Sequence, residues 1–333
     1  MEEQTAGVLY EEEFITSRGL RLFTCKWVPS NAQPKALIFI CHGYAMECSI
    51  TMKSTAVRLV KAGFAVYGMD YEGHGKSQGL LGYVPNLDDV IADCFTHFAN
   101  ICGRVTLSSD KFSDGYGVFV VAEKEENSGK KRFLMGESLG GAVALRIDMM
   151  KPGFFDGGVL VAPMCKIVDE MKPAPIVVSI LSKMVGVIPT WKITPTKDVV
   201  DEAFKMEEVR KQIRGNEYCY KGRPRLRTGY ELLRASLDLE KRISDVRMPF
   251  IVLHGEDDMV TDKSVSVELH EVAASVDRTI KLYPGMWHGL LYGETPENTE
   301  IVFKDITEWL EARTDCGHRL EIEQKVIHDT NKS

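Results

Sequence analysis

The chain has 333 residues, 44% hydrophobic and 27% charged, a balance that suits a globular α/β core with an inserted subdomain. Lys and Arg number 41 against 48 Asp and Glu, so the formal net charge is −7; with no long basic block, nucleic acid is excluded as a main partner. An acidic balance leaves membrane contact open, because an apolar patch can bind a bilayer without a basic one.

The start, MEEQTAGVLYEEEF, is acidic and lacks an apolar h-region, so no secretory signal is expected. The most apolar long stretch, PIVVSILSKMVGVIPTW (175–191), is interrupted by Lys183, Gly186 and Pro189 and is shorter than a spanning helix requires. Cysteines at 25, 41, 48, 94, 102, 165, 219 and 316 are scattered without metal-ligand spacing, which points to free thiols in a reducing compartment. The expected location is cytoplasmic, with peripheral membrane association as an option.

In chain order, residues 12–29 predict two strands around a Ser17-Arg18-Gly19 turn. ALIFICHG (36–43) is a continuous apolar run, as in a strand covered on both faces. STAVRLVKAG (54–63) predicts a helix stopped by Gly63, and FAVYGMD (64–70) the next strand. The loop YEGHGKSQG (71–79) leads to an amphipathic helix over 86–101. KRFLMGE (131–137) predicts a strand, GGAVALRIDMM (140–150) a helix and GGVLVAP (157–163) another strand. Such β–α alternation implies a mostly parallel sheet with helices on both faces. The rhythm stops after Pro163: residues 164–235 are Pro-interrupted helical fragments, including TKDVVDEAFKMEEVRKQI, and read as an insertion above the sheet. Strands return at 248–255 and 278–285, a final amphipathic helix covers 298–312, and a polar tail follows from Thr314.

The chemistry centres on GESLGG (136–141), which lies between an apolar strand and a helix. That context marks a nucleophile elbow: a sharp turn lifts the Ser138 hydroxyl above the sheet, and Gly136 and Gly140 leave room for the crossing. A serine hydroxyl needs a base oriented by a carboxylate, expected in the chain order Ser, Asp, His. Of the later histidines, His270 lies in an amphipathic helix and His318 and His328 in the tail, whereas His288 sits in a loop just after the last strand. The acid belongs in EDDMVTD (256–262), where Thr261 and Asp262 read as helix N-cap residues. Asp257 and Asp258 remain, and spacing does not choose between them. One oxyanion donor is the N–H of Leu139, and the second comes from the loop HGYAMECS (42–49).

HGYAMECS, GHGKSQG, GESLGGAVAL, HGEDDMVTD and YPGMWHGLLYGE occur in this order. Over residues 10–312 the chain thereby resembles the plant monoacylglycerol lipase family, which includes caffeoylshikimate esterases. That family belongs to the serine aminopeptidase S33 (hydrolase-4) type of the α/β-hydrolase superfamily. The resemblance implies an α/β-hydrolase fold with a core of residues 10–163 and 236–312, a helical cap at 164–235 and a C-terminal tail at 313–333. It implies Asp258 as the orienting acid, Tyr44 N–H as the second oxyanion donor and a structural role for His74. No cofactor or metal is implied; the partner is a small-molecule ester or lipid.

One stretch departs from the family pattern. Removing 103–122, GRVTLSSDKFSDGYGVFVVA, joins HFANIC to EKEENSGKKRFLMGE and restores ordinary spacing. The insertion ends in a strand-like run, GYGVFVVA, with no obvious partner. It reads either as a surface excursion or, the favoured reading, as translated non-coding sequence. The activity implied is hydrolysis of monoacylglycerols through an acyl-enzyme on Ser138. Caffeoylshikimate-type esters, lysophospholipids and acyl transfer are the alternatives, and a ligand receptor on the same fold is a distant one.

Overall fold

The computed structural model describes residues 6–108, 118–123, 127, 129–166, 174–193 and 198–314. The strands β1 (Val8–Ser17) and β2 (Leu20–Pro29) form the hairpin expected around Arg18 and Gly19. Six further strands complete the main sheet: β3 (Ala36–Cys41), β4 (Ala65–Met69), β7 (Lys131–Glu137), β8 (Gly157–Val161), β9 (Phe250–Gly255) and β10 (Arg278–Tyr283). The eight strands run in the order β1-β2-β4-β3-β7-β8-β9-β10, antiparallel from β1 to β4 and parallel from β4 to β10.

Every residue of β3, β8 and β9 is buried, which explains their unbroken apolar runs. Alternate residues serve opposite faces. Ile38, Ile40, Phe133, Met135, Val159 and Ile251 pack against helices α1 (Lys53–Lys61) and α9 (Pro296–Thr314). Phe39, Leu134, Leu160 and Val252 face α2 (Leu87–Cys102), α3 (Leu139–Met150) and α8 (Lys263–Val272). Asn86 caps α2 by accepting the Asp88 N–H at 3.1 Å, and Asp262 caps α8 by accepting that of Ser264 at 2.7 Å. The strand order reverses between β4 and β7 around β3, so the crevice at the carboxyl ends of β3 and β7 is the natural ligand position.

Between β8 and β9 lie α4 (Pro175–Val185), α5 (Val199–Ala203), α6 (Glu207–Gly215) and α7 (Leu226–Arg242). Residue 235, expected as the edge of the cap, falls inside α7, a continuous helix whose Leu226 and Leu239 are both buried. The helical run expected over TKDVVDEAFKMEEVRKQI is broken at 204–206, where the chain turns Phe204 inward. The final tail, with His318, His328 and Cys316, lies outside the described residues.

The insertion also differs from expectation: β5 (Gly103–Ser108) pairs antiparallel with β6 (Val118–Glu123), which supplies the partner that the sequence did not reveal. These strands form a separate two-stranded sheet outside the main one. An isolated two-stranded ribbon contributes little stability of its own. A variant lacking 103–122 is therefore expected to keep its thermal midpoint and soluble yield; a marked loss of either would show that the ribbon supports the core.

The tightest crossing joins α3 to β3. A Cβ at Gly140 would overlap the Cys41 carbonyl oxygen, and one at Gly136 would overlap the carbonyl of Gly140. Gly140→Ala is expected to lose about 1–3 kcal/mol or more, read as a lowered thermal midpoint. Gly215→Ala, where an added Cβ meets nothing, is the control and is expected to be neutral or slightly stabilising.

Candidate active site

Ser138 stands between the end of β7 and the first turn of α3, with φ 55° and ψ −119°. A non-glycine residue reaches that conformation only when its surroundings fix it. Here they do: the Ser138 N–H donates to the Val161 carbonyl at 2.9 Å, and its own carbonyl accepts the N–H groups of Gly141 and Met164 at 2.9 Å. The N–H of Leu139 heads α3, where the first amides have no carbonyl partner within the helix and the helix dipole is positive.

Asp258 and His288 come from the loops that follow β9 and β10. The His288 Nδ1–H donates to Asp258 Oδ2 at 2.7 Å, so the neutral ring keeps its Nε2 lone pair free to take a proton. Asp257, which spacing could not separate from Asp258, is exposed, whereas the Asp258 side chain is buried. His270 lies half-buried on α8, away from this pair in the chain's fold.

Thr261, expected as a helix N-cap, and His254, which the sequence left unassigned, complete the acid's surroundings. Thr261 is not a cap: its hydroxyl donates to Asp258 Oδ2 at 2.8 Å and its N–H donates to Oδ1 at 3.0 Å. The Val260 N–H also reaches Oδ1, at 2.7 Å. His254 Nε2 faces two oxygens, Asp258 Oδ2 and the Thr261 carbonyl, each at 3.1 Å, and must therefore carry the proton. Its Nδ1 accepts from the Ser266 hydroxyl at 2.7 Å. The signal was the first residue of HGEDD, which reads only as the end of a strand until its ring is seen against the acid.

Burial pushes the Asp258 carboxyl up, but the His288 charge and the hydrogen bonds from His254, His288 and Thr261 outweigh it and hold Asp258 well below the usual carboxylate range. Burial likewise pulls the His288 imidazole down, and the Asp258 charge and hydrogen bond, with Glu137 adding to them, overcome it and raise the ring above its ordinary value. The pair is thus an ionised acid holding a basic imidazole.

The Ser138 hydroxyl makes no hydrogen bond with the imidazole among the described contacts. The end of β8 links their segments: Val161 accepts the Ser138 N–H, and the next residue's carbonyl, at Ala162, lies 3.2 Å from the Thr261 hydroxyl. Such nucleophile–base contacts commonly tighten only with substrate bound.

The loop after β3 passes against the nucleophile: a Cβ on Gly43 would lie 3.6 Å from Ser138 Cβ. Beneath it Glu47 accepts the N–H groups of Ile50 and Thr51 and the Ser49 hydroxyl, fixing the turn. Tyr44 donates its hydroxyl to the Gly82 carbonyl at 2.9 Å, which anchors the residue whose N–H is the expected donor. His42 accepts the Tyr71 N–H at 3.2 Å and stacks on its ring, 3.8 Å between centroids. Burial holds His42 at about 3 and His74 at about 4, so both stay neutral under the loop.

Among the described residues, His42, Cys48 and Asp70 lie close enough to share a metal ion. Their atoms are already engaged: Asp70 accepts the N–H groups of Cys48 and Lys76 at 2.8 and 2.9 Å, and a bond with Cys25, together with burial, raises the Cys48 thiol. The donor set fits a hydrogen-bonded staple rather than a metal site.

The helical segment between β8 and β9, the expected cap, is fastened to both loops. Tyr220 N–H donates to the Ala45 carbonyl at 2.9 Å, and Asn216 reaches Glu47 at 3.1 Å. On the other side Gly289 N–H donates to Ala203 O at 2.8 Å and Met206 N–H to Gly293 O at 3.1 Å. Phe204 presses so closely on Gly289 and Gly293 that a Cβ at either would come within 2.6 Å of its ring.

The chain is 32% identical over 320 residues to caffeoylshikimate esterase of Arabidopsis thaliana, covering 92% of this chain and 90% of that protein. It is 29% identical to monoglyceride lipase of Homo sapiens, covering 90% of each. In fold it matches a soluble variant of monoglyceride lipase from Saccharomyces cerevisiae, solved with a substrate analog. The TM-score there is 0.73 at 18% identity, over 91% of this chain and 95% of that one. The monoacylglycerol lipase of Paleococcus ferrophilus gives 0.69 at 22% identity, over 88% and 99%. The fold is therefore that of the α/β-hydrolases. The Hydrolase_4 family model (serine aminopeptidase, S33) matches residues 32–107 and 105–296, restarting at the insertion. A strained serine above a parallel sheet, a buried Asp–His pair and this match lead to one conclusion: the chain belongs to the Hydrolase_4, serine aminopeptidase S33 family.

Proposed function

We propose that the protein is a serine carboxylic-ester hydrolase acting on monoacylglycerols through an acyl-enzyme on Ser138. The observation that carries the reading is the buried Asp258–His288 hydrogen bond at 2.7 Å in loops beside the strained Ser138 turn. His288 Nε2 takes the Ser138 proton as the oxygen attacks the ester carbonyl. The N–H groups of Tyr44 and Leu139 hold the oxyanion. The alcohol leaves with the proton from His288, and water activated by the same ring then releases the acid. Asp258 fixes the tautomer and stabilises the imidazolium.

The lipid assignment is supported by an apolar cap surface: Ile176 is 67% exposed, Val187 81% and Trp191 58%. That surface suits peripheral contact with a bilayer of a protein that resides in the cytoplasm. No helix among the described residues is long and apolar enough to cross a membrane. Residues 164–235 act as the cap in this reading, and 103–122 as an addition to the family core. A second reading, hydrolysis of a caffeoylshikimate-type ester, is favoured by a cavity of about 300 Å³ beside Tyr44, whose wall carries Lys221 and Arg223. Those cations suit a substrate with a carboxylate on its alcohol part.

Purified protein assayed on monoacylglycerol, lysophospholipid and caffeoylshikimate, with Ser138→Ala as the blank, tests the proposal. Monoacylglycerol is expected to turn over fastest and Ser138→Ala to abolish turnover. Preference for caffeoylshikimate selects the second reading, and hydrolysis surviving in Ser138→Ala rejects the serine mechanism. Asp258→Asn is expected to lower kcat by about 10³–10⁴, while Asp257→Asn leaves it unchanged. Because only the neutral imidazole accepts the proton and His288 is raised above 6.5, activity falls as pH drops through a midpoint above that value.

A further inference from the structure

The mechanism above leaves one buried acid at the site unused. Glu137 is the last residue of β7, directly before Ser138, and is 4% exposed. The two-residue period of the strand puts it on the face of Phe133 and Met135. Its carboxylate oxygen Oε2 accepts the Tyr292 hydroxyl at 3.1 Å. Tyr292 stands four residues after His288, and its ring stacks on Phe204 of the cap segment, 5.5 Å between centroids at 29°. The surrounding cluster of Met46, Val200, Ile213 and Cys219 keeps the pair in an apolar setting.

We propose that Glu137 and Tyr292 form a second acid arm on His288: positioning residues that act beside Asp258, with Tyr292 holding the Glu137 carboxylate and Phe204 tying the arm to the cap. This rests on the serine-hydrolase reading above. A carboxylate whose charge reaches the ring favours the imidazolium that forms when Ser138 is deprotonated, so its charge matters most in the tetrahedral step.

The electrostatics agree with the geometry. Burial lifts the Glu137 carboxyl to about 7, against the opposing pull of the His288 charge and the Tyr292 hydrogen bond. His288 in turn feels Glu137 in addition to Asp258. Burial keeps the Tyr292 phenol protonated and lifts the Cys219 thiol to about 12, and Asp258 stays ionised. Glu137 and His288 thus act on each other, each charge favouring the ionised form of its neighbour. Phe204, pressed on Gly289 and Gly293, couples the arm to whatever occupies the cap.

The test is the pH profile of kcat/KM on a soluble short-chain p-nitrophenyl ester for wild type, Glu137→Gln, Glu137→Asp and Tyr292→Phe, with thermal midpoints as a folding check. Removing the charge lowers the proton affinity of His288. In Glu137→Gln the acid limb is therefore expected to move down by about one pH unit and the plateau to fall about threefold to tenfold. Tyr292→Phe, which leaves Glu137 less ionised, shifts the limb in the same direction by less, and Glu137→Asp returns it toward wild type. A limb that stays at the wild-type midpoint in both Glu137→Gln and Tyr292→Phe overturns the proposal, even if rates fall. Should Glu137→Gln fail to fold, Tyr292→Phe alone decides. An inactive Ser138→Ala beside an unmoved limb rejects only this arm, whereas an active Ser138→Ala rejects the hydrolase reading beneath it.

Discussion

The site depends on one steric constraint, the contact of the first turn of α3 with the end of β3. Gly140 lies against the Cys41 carbonyl and Gly136 against Gly140, so helix and strand cross with no side chain between them. That closeness bends the chain sharply enough to set Ser138 at φ 55°, and the hydrogen bonds from Gly141 and Met164 to its carbonyl prevent relaxation. The same crossing brings the loop after β3 against Ser138, so nucleophile and candidate oxyanion loop are positioned by a single packing event. Backbone strain here is sustained by the fully buried strands β3 and β8 rather than by any one side chain.

Around that point the protein treats its buried acids unequally. Asp258 receives donors from Val260, Thr261, His254 and His288, enough to keep it ionised despite burial. Glu137, equally buried, has the Tyr292 hydroxyl as its donor among the described hydrogen bonds, and burial lifts it to about 7. The number of hydrogen-bond donors, more than depth, separates the two carboxylates. An acid that never titrates suits an orienting group, and one poised near neutrality suits a group that modulates its neighbour.

The cap is part of the same construction. Its segment 203–206 grips the His288 loop through two backbone hydrogen bonds and the Phe204 ring, while Asn216 and Tyr220 hold the loop after β3. The inserted segment between β8 and β9 therefore braces both the loop after β3 and the His288 loop. The opposite end of the cap, around α4, instead turns Ile176 and Ile180 outward. One inserted segment thus presents an apolar surface on one side and holds the His288 loop on the other.

The sequence by itself determined the strands of the main sheet and the strand–turn–helix at Ser138, and it singled out His288 among the later histidines. Buried parallel strands leave continuous apolar runs, the elbow needs glycines at fixed offsets from its serine, and His288 follows the last strand; all of these are local patterns. The residues alone left Asp257 and Asp258 level, since both lie in one loop and differ only in which way the chain turns there. Tertiary structure separated them, burying Asp258 against His288 and exposing Asp257. It also drew Thr261 away from the helix cap and put His254 on the acid. The partner for the strand of the insertion, and the contact of Tyr292 with Glu137, likewise exist only in the fold. Each of these joins residues from different loops or strands, and such a contact has no period or offset that a linear pattern can carry. Spacing records what a residue does to its own segment; which acid meets which imidazole is decided by how the segments pack.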